Sequence, residues 1–270
     1  MIGVVHLVWA PLGAGSLRDF LRSYHLHPSG ARHELVILLN GAGLAEARGA
    51  RDAVLAELGG TEHRLIELER PALDLAAYAE AARRLEYRQQ CFLNSYSVIQ
   101  VDGWLAQLVC ALERPGVGIA GATGSWESQS EWKRGRAVHW PLQVMRLPGA
   151  RRDFPRFPNP HIRTTGFLVD RSTLLQMGLE NARDKRAAYR LESGHAGVTR
   201  KLQERGLKAL VVGRDGVGYE TAHWANSGTY RSGGQENLLV ADNRTRDWQR
   251  AGRRLKHRLC RDAWGSGCQS

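Results

Sequence analysis

The sequence predicts an α/β protein built on a mostly parallel β-sheet with helices on both of its faces. The main observation is that short apolar strands alternate with helical segments over the first 122 residues. The second is size, because 270 residues with 43% hydrophobic content can bury one large domain. The third is that no internal repeat or low-complexity tract suggests another architecture.

Strands and helices are predicted in strict alternation in this first part of the chain. The predicted strands cover residues 3–10, 35–39, 63–68, 90–93 and 117–122, and the helices cover 16–24, 44–58, 74–85 and 103–112. Ser16 and Asp19 have capping-box spacing at the first helix start, and Gly59 follows the second helix. Ligands of such sheets bind beyond the carboxyl ends of the strands. The loops after residues 10, 39, 68 and 93 should therefore face one cleft.

The segment 126–163 is predicted to be a long irregular excursion, of the kind usually retained for binding. It holds three tryptophans and five prolines: Trp126, Trp132, Trp140, Pro141, Pro148, Pro155, Pro158 and Pro160. The alternation resumes after it, with strands at 166–170 and 209–212 and helices at 171–177 and 198–205.

The chain is strongly basic, with a formal net charge of +11 from 38 basic and 27 acidic residues. This charge suits phosphate-bearing ligands or anionic lipid, whereas no RNA- or DNA-reading motif is present, so nucleic acid is not an expected partner. Basic residues crowd one late stretch: Arg244, Arg246, Arg250, Arg253, Arg254, Lys256, Arg258 and Arg261. They form either a solvated helical face or a surface for a membrane or polyanion.

The sequence also bears on location. No window approaches the roughly 20 apolar residues of a spanning helix, and the apolar start is interrupted by Pro11 and Gly13. The four cysteines, at 91, 110, 260 and 268, lack metal-site spacing and are expected to be reduced thiols. We therefore expect a soluble, cytoplasmic protein that can contact the inner face of the membrane.

Three glycine patterns invite a dinucleotide-binding interpretation and do not support it. After the first strand, Arg18 stands where the fingerprint needs a third glycine. The residues from Gly116 to Gly121 spell GxGxxG but occupy a strand, so no helix N-terminus meets a pyrophosphate. The pattern from Gly121 to Gly124 follows a strand, yet Glu127 replaces its last glycine. A nicotinamide-dependent enzyme is not expected.

The most informative stretch runs from Cys91 through Asn94-Ser95-Tyr96-Ser97 to Trp104-Leu105. It resembles the "xFLDSDxxxxxxWLxxL" strand of GT-A glycosyltransferases, especially the inverting family two. Three later segments, at 117–122, 164–171 and 191–207, resemble motifs of the same family and follow in the same order. The resemblance therefore reaches about residue 220. The resemblance implies a GT-A (Rossmann-like, nucleotide-diphospho-sugar transferase) domain over 1–220, with 126–163 on its acceptor side. Residues 221–270 would be a basic C-terminal extension packed on it.

The resemblance also implies roles for individual residues. Glu192 would be the general base that takes the acceptor proton; its structural alternative is a solvent-facing glutamate at a helix start, where the dipole favours an acid. The expected donor-binding residues are Pro11, Asn40, Asp74, Tyr78, Asn94, Ser95, Tyr96, Ser97 and His223. The expected acceptor-side residues are Asp102, Trp104, Thr164, Thr165, Gly166 and His195.

The chain departs from the family where the metal-binding carboxylates belong. Asn94 and Ser95 supply neutral oxygens there, whereas divalent cations prefer carboxylates. Either basic side chains neutralise the donor diphosphate without a metal, or Mg²⁺ or Mn²⁺ takes its ligands from elsewhere, with Ser95 and His223 as candidates.

The resemblance implies a nucleotide-sugar donor and a glycan or lipid-linked acceptor, as in cell-surface polysaccharide synthesis. Two other classes stay open. One is a non-catalytic GT-A-like binding module, and the other is a polyanion or nucleic-acid binder, suggested by the isoelectric point near 10.0.

Overall fold

The structure is a computed structural model that describes residues 1–130 and 150–268. Part of the predicted 126–163 excursion, including Trp132, Trp140, Pro141 and Pro148, lies outside the described residues. The strands are β1 (Ile2–Trp9), β2 (His33–Asn40), β3 (Arg64–Leu68), β4 (Gln89–Leu93), β5 (Val98–Ile99), β6 (Val117–Gly121), β7 (Gly124–Ser125), β8 (His161–Ile162), β9 (Gly166–Asp170), β10 (Lys208–Val212), β11 (Gly218–Tyr219) and β12 (Val240–Ala241).

The helices that connect these strands were mostly anticipated by periodicity. They are α1 (Gly15–Leu26), α2 (Ala50–Leu58), α3 (Asp74–Arg84), α4 (Trp104–Leu112), α5 (Ala150–Asp153), α6 (Arg171–Leu175), α7 (Lys185–Ser193), α8 (Val198–Glu204), α9 (Asn243–Arg250) and α10 (Arg253–Trp264). Short 3₁₀ turns lie at Ala10–Leu12, Ala45–Ala47, Leu179–Asn181, Thr221–Asn226 and Gly265–Gly267.

The central sheet has eight strands in the order β11-β10-β6-β9-β4-β1-β2-β3. β1 pairs in parallel with β2 and β4, β2 with β3, and β6 with β10. β9 lies antiparallel between β4 and β6, so these two strands point the same way. The predicted α/β class and mostly parallel sheet are confirmed.

Helices cover both faces of the sheet, as predicted. Successive residues of a strand point to opposite faces, so Val5 and Leu7 of β1 join one apolar cluster while Val4 and Val8 join the other. The first cluster packs under α3 and α6 to α8, and the second under α1, α2 and α4. Such two-sided burial explains why the strands are almost uniformly apolar.

Two local predictions of helix structure need correction. The first helix begins at Gly15 after Ala14, and no side chain caps it, so the capping box predicted at Ser16 is wrong. A capping box occurs instead at α9, where Asp242 and Thr245 cap each other. The predicted helix 44–58 is broken, because Gly49 adopts a left-handed conformation (φ 78°) before α2.

The expectation of four reduced cysteines is also wrong. Cys260 in α10 and Cys268 form a disulfide, with their Cα atoms 5.4 Å apart. The 3₁₀ turn after α10 folds the chain back and brings the two thiols together, which sequence spacing alone does not specify. Cys91 is buried and Cys110 is exposed, both as free thiols.

The C-terminal residues contribute to the main body of the protein. β12 pairs with β5, and the side chains of Tyr230, Trp248 and Trp264 are almost fully buried. The domain boundary at residue 220 stays a prediction. In residues 1–130 and 150–268, no helix combines the length and the hydropathy needed to cross a bilayer.

Candidate functional site

A polar turn follows β4 at the carboxyl edge of the sheet. The Asn94 side-chain oxygen accepts hydrogen bonds from the Tyr96 N–H (2.9 Å) and from the Ser97 hydroxyl (3.3 Å). The Ser95 hydroxyl oxygen accepts a bond from the Trp9 N–H at the end of β1 (3.2 Å). These bonds hold the turn against the end of β1, while Asn94 and Tyr96 stay half-buried and accessible.

The same turn is tied to the start of β9. The Ser97 hydroxyl donates to the Thr165 carbonyl (2.7 Å), and the Thr165 hydroxyl donates to an Asp242 carboxylate oxygen (2.8 Å). Gly166 packs closely on β4, because a Cβ there would lie 3.0 Å from the Leu93 side chain. The structure thus brings the predicted residues 94–97 and 164–166 together. Their ligand contacts stay predictions, with Thr164 half-buried beside them.

Asn40 holds a loop at the end of β2. Its side-chain NH₂ donates to the Ala72 carbonyl (2.7 Å), and its side-chain oxygen accepts from the Ala72 N–H (3.0 Å). Asn40 is 1% exposed. Its amide therefore positions the segment that leads to Asp74, and a direct donor contact by Asn40 would have to break these bonds.

An open groove lies at the ends of β1 and β3, where the sequence predicted the nucleotide. It measures about 300 Å³. The residues that line it are Trp9, Pro71, Ala72, Leu73, Ala76, Glu180, Ala182 and Arg183. Neither Asn94 nor Glu192 is among these described lining residues, but Asp74 directly follows Leu73. Pro11 is half-buried in the turn after β1.

Asp74 and Glu192 lie close enough to interact electrostatically. Asp74 opens α3 and is exposed, yet the surrounding protein desolvates its carboxyl group. This desolvation, followed by the negative charge of Glu192, raises the pKa of Asp74 to about 6. A carboxyl group whose pKa is raised by a nearby carboxylate is frequent at active sites.

Glu192 lies in the last turn of α7, not at a helix start. The partial negative charge at the C-terminal end of a helix disfavours an acid there. The helix-start explanation for this glutamate is therefore wrong. Its negative charge also acts on His161 and Arg163.

We expect Asp74→Asn to stabilise the protein in a pH-dependent way. An unfolded aspartate ionises near pH 4, whereas folded Asp74 holds its proton up to about pH 6. The native protein thus loses stability as the pH rises between these values. At pH 7.5 the variant should be more stable by about 1 kcal/mol, a figure reduced because Asp74 is exposed. At pH 4 the two proteins should be equally stable.

Urea unfolding at both pH values measures this difference. Asp52→Asn is the control, since Asp52 opens α2 without a neighbouring Glu192. A difference between Asp74→Asn and the parent protein that is identical at pH 4 and pH 7.5 would contradict the interaction.

A cluster of charged and aromatic groups adjoins this pair, and we call it the guanidinium cluster: Glu127, Arg163, Tyr230, Arg231 and Asp242. The guanidinium carbons of Arg163 and Arg231 lie 4.2 and 4.9 Å from the centroid of the Tyr230 ring. Arg231 donates a hydrogen bond to Glu127 (3.1 Å). Arg163 lies 4.0 Å from carboxylate oxygens of both Glu127 and Asp242.

His161 borders the same cluster. It is 6% exposed, and one of its ring nitrogens lies 2.9 Å from the Asn159 carbonyl oxygen. Burial lowers the pKa of His161, although the negative charge of Glu192 opposes this. A neutral imidazole at this place can orient a neighbouring polar group without adding charge.

Two residues that were predicted to contact a ligand, Tyr78 and Trp104, are buried too deeply to do so. Tyr78 is fully buried, and its ring packs 4.8 Å from Phe92. Burial, followed by the charge of Asp74, raises the pKa of Tyr78 well above the usual range. Trp104 is also fully buried, at the start of α4. Both side chains support the site from the core instead of facing a ligand.

Asp102 lies near the amino-terminal edge of the sheet, and His223 lies on the turn after β11. Asp102 pairs with His27 (2.7 Å) in the loop that enters β2. His223 is exposed on a 3₁₀ turn beside Glu220, whose carboxylate pairs with Lys208 at the start of β10. The position of Asp102 does not support the acceptor role predicted for it, whereas the donor role of His223 stays a prediction. His195 is exposed just after α7, and its role stays a prediction.

The side chains at the predicted metal position do not fit a divalent cation. The oxygens of Asn94 and Ser95 are neutral and already accept hydrogen bonds within the protein. Throughout the described ranges, no group of three or more His, Cys, Asp or Glu side chains is arranged to hold a metal ion. The assistance of Mg²⁺ or Mn²⁺ stays a prediction.

Sequence reasoning missed Arg163, His161 and the guanidinium cluster. Arg163 immediately precedes Thr164 in a segment that was singled out, so its position was a usable signal. Tyr230 and Arg231 offered none, because they approach Arg163 only in the folded chain.

Among known proteins, similarity to this chain was found only by comparison with solved three-dimensional structures. No protein-family profile and no curated protein matches the chain. It is similar to the mannosyltransferase PcManGT from Pyrobaculum calidifontis, in complex with GDP-Man and Mn²⁺, at 15% identity and a TM-score of 0.49. That match covers 82% of this chain and 56% of the other.

Two more solved structures show weaker likeness. Glucosyl-3-phosphoglycerate synthase from Mycobacterium tuberculosis matches at 16% identity and a TM-score of 0.40, over 64% of this chain and 56% of that one. 4-Diphosphocytidyl-2C-methyl-D-erythritol synthase from Anaerococcus prevotii matches at 11% identity and a TM-score of 0.45. That match covers 78% of this chain and 88% of the other. The chain spans little more than half the length of the mannosyltransferase and of the glucosyl-3-phosphoglycerate synthase.

Proposed function

We propose that the chain is a glycosyltransferase that moves a sugar from a nucleotide-sugar donor to a glycan or lipid-linked acceptor. The observations that carry the proposal are that Glu192 acts electrostatically on both Asp74 and Arg163, and that the segment holding Arg163 bonds the Asn94 turn through Thr165. A carboxylate beside a polar strand-end turn provides a proton acceptor next to a binding site. The motif resemblance from residue 91 to 207 supports the same class.

The proposed reaction inverts the anomeric centre. The acceptor hydroxyl oxygen attacks the anomeric carbon and its proton passes to the Glu192 carboxylate. The bond between that carbon and the diphosphate oxygen breaks, and the electron pair leaves with the diphosphate. The groove beside Trp9 and Leu73 would hold the nucleoside, which leaves the diphosphate near Asn94.

A ligand panel tests the class of the protein. We expect one of UDP-, GDP-, CMP- or dTDP-sugars to raise the melting temperature, because a ligand that binds only the folded state stabilises it. The panel is run with Mn²⁺ and with EDTA, and sugar release is then assayed for the ligand that binds. Binding without turnover would indicate a binding module. No response to any donor would contradict the proposal.

We further propose that the protein acts at the cytoplasmic face of the membrane, in cell-surface polysaccharide synthesis. Arg254, Arg258 and Arg261 are exposed at helical spacing on α10, beside the exposed Leu255. None of the three arginines forms an ion pair with a residue in the described ranges. α10 also adjoins the acceptor side, since Trp126 donates its N–H to the Ala263 carbonyl (3.0 Å).

Vesicle sedimentation checks the membrane contact. Replacing Arg254, Arg258 and Arg261 with serine should weaken binding to phosphatidylglycerol-containing vesicles roughly 100-fold, at about 1 kcal/mol per arginine. Phosphatidylcholine vesicles should bind neither protein. Serines at the exposed Arg48, Arg70 and Arg88 provide a charge-matched control. Equal losses in both triple variants would mean that only net charge matters.

A further inference from the structure

Arg163 carries a mostly buried guanidinium that finds no hydrogen-bond acceptor in the part of the chain that the structure describes. Its side chain is 17% exposed, and its Nε has no partner among the described residues. The nearest carboxylate oxygens, on Glu127 and Asp242, lie 4.0 Å away, which is too far for a hydrogen bond. A buried charged donor that makes no hydrogen bond is costly. The donors of Arg163 are therefore available to an acceptor-rich group.

The surroundings hold this guanidinium in place without using its N–H groups. Tyr230 lies flat beneath it, and Glu127 and Asp242 flank it. The two acids are themselves occupied, because Glu127 accepts from Arg231 and Asp242 accepts from Thr165. An arginine that is positioned by stacking and by distant charges keeps its planar fork of donors available.

The backbone places Arg163 at the carboxyl edge of the sheet. Its N–H donates to the Thr123 carbonyl after β6 (3.0 Å), and two residues later the Thr165 carbonyl contacts the Asn94 N–H (3.5 Å). Arg163 thus lies between the ends of β4 and β6, beside the turn where metal-binding carboxylates are missing. Glu192 acts electrostatically on it from α7.

We propose that Arg163 binds the donor diphosphate and neutralises it as it leaves, in the place that a divalent cation would otherwise occupy. This assignment rests on the proposed function. The planar guanidinium matches two phosphate oxygens at once, which suits a diphosphate better than a point charge does. As the bond from the anomeric carbon to the diphosphate oxygen breaks, that oxygen takes the electron pair. The acceptor proton goes to Glu192, and Arg163 stays protonated throughout.

The test measures diphosphate binding separately from turnover. Inorganic pyrophosphate, UDP and GDP are titrated calorimetrically into the full chain in EDTA. We expect the parent protein to bind a diphosphate without metal, and Arg163→Met to bind it at least 10-fold more weakly. Arg205→Met, at an exposed arginine that bonds Gln176, should bind like the parent. Pyrophosphate binding alone would show a diphosphate site without nucleoside recognition.

Melting temperatures without ligand distinguish a binding role from a structural one. Because the Arg163 fork makes no hydrogen bond to any residue within 1–130 and 150–268, Arg163→Met should melt no more than a few degrees below the parent. Should that variant fail to fold, Arg163→Lys tests the binding role instead, since lysine keeps the positive charge but lacks the planar pair of N–H donors. We expect it to fold and to bind about 5-fold more weakly.

Two results would overturn the assignment. One is unchanged diphosphate affinity in a folded Arg163 variant, and the other is a parent protein that binds diphosphate only when Mn²⁺ or Mg²⁺ is added. Failure of the proposed function looks different. In that case, diphosphate binding would depend on Arg163 while no nucleotide-sugar was turned over.

Discussion

Glu192→Gln is expected to lower the turnover number for sugar transfer by about 10²- to 10⁴-fold. Glutamine has nearly the same shape as glutamate but cannot take the acceptor proton. The side chain is half-buried in the last turn of α7, so the substitution should leave the fold intact. Steady-state kinetics with the donor identified by the ligand panel measures the loss.

Donor affinity separates catalysis from binding in this variant. Because Glu192 is proposed to act on the acceptor, Glu192→Gln should bind the nucleotide-sugar as the parent does. Glu204→Gln is the matched control, since Glu204 is exposed at the end of α8. Full turnover in Glu192→Gln would remove Glu192 as the base and leave the role to another group.

Asn40→Ala is expected to lower the free energy of unfolding by about 2–4 kcal/mol. The substitution removes two hydrogen bonds to Ala72 at a position that is 1% exposed. It also leaves the Ala72 N–H and carbonyl without their side-chain partners, which costs more than the bonds themselves contribute. Urea unfolding at constant pH measures the change.

The effect should extend to the site, because Ala72 lies two residues before Asp74. Asn181→Ala is the control: its NH₂ donates one exposed hydrogen bond to the Gly178 carbonyl, and we expect a loss below about 1 kcal/mol. If Asn40→Ala were no more destabilising than Asn181→Ala, the Ala72 loop would not depend on Asn40. Asn40 would then be available for the donor contact first predicted for it.

Part of the site could be anticipated because strand ends follow from local patterns. Asn94 to Ser97 follow an apolar strand and Asp74 opens a helix, and the parallel sheet brings these positions to one edge. Thr165 joins them only because β9 runs antiparallel, which the tertiary structure decided. Tyr78 and Trp104 were misjudged for a related reason. Periodicity shows that a helix has an apolar face, but it does not show how deeply a particular aromatic residue is buried in that face.

The sequence by itself determined the α/β class, the order of strands and helices and the edge of the sheet where polar turns collect. Those properties depend on alternating hydrophobicity and on turn residues, which act over a few positions. Only the tertiary structure decided that Glu192 lies at a helix end near Asp74, that Arg163 stacks on Tyr230 without a hydrogen-bond partner among the described residues, and that Cys260 meets Cys268. These contacts join distant segments, and packing of the whole chain, rather than local preference, sets their geometry.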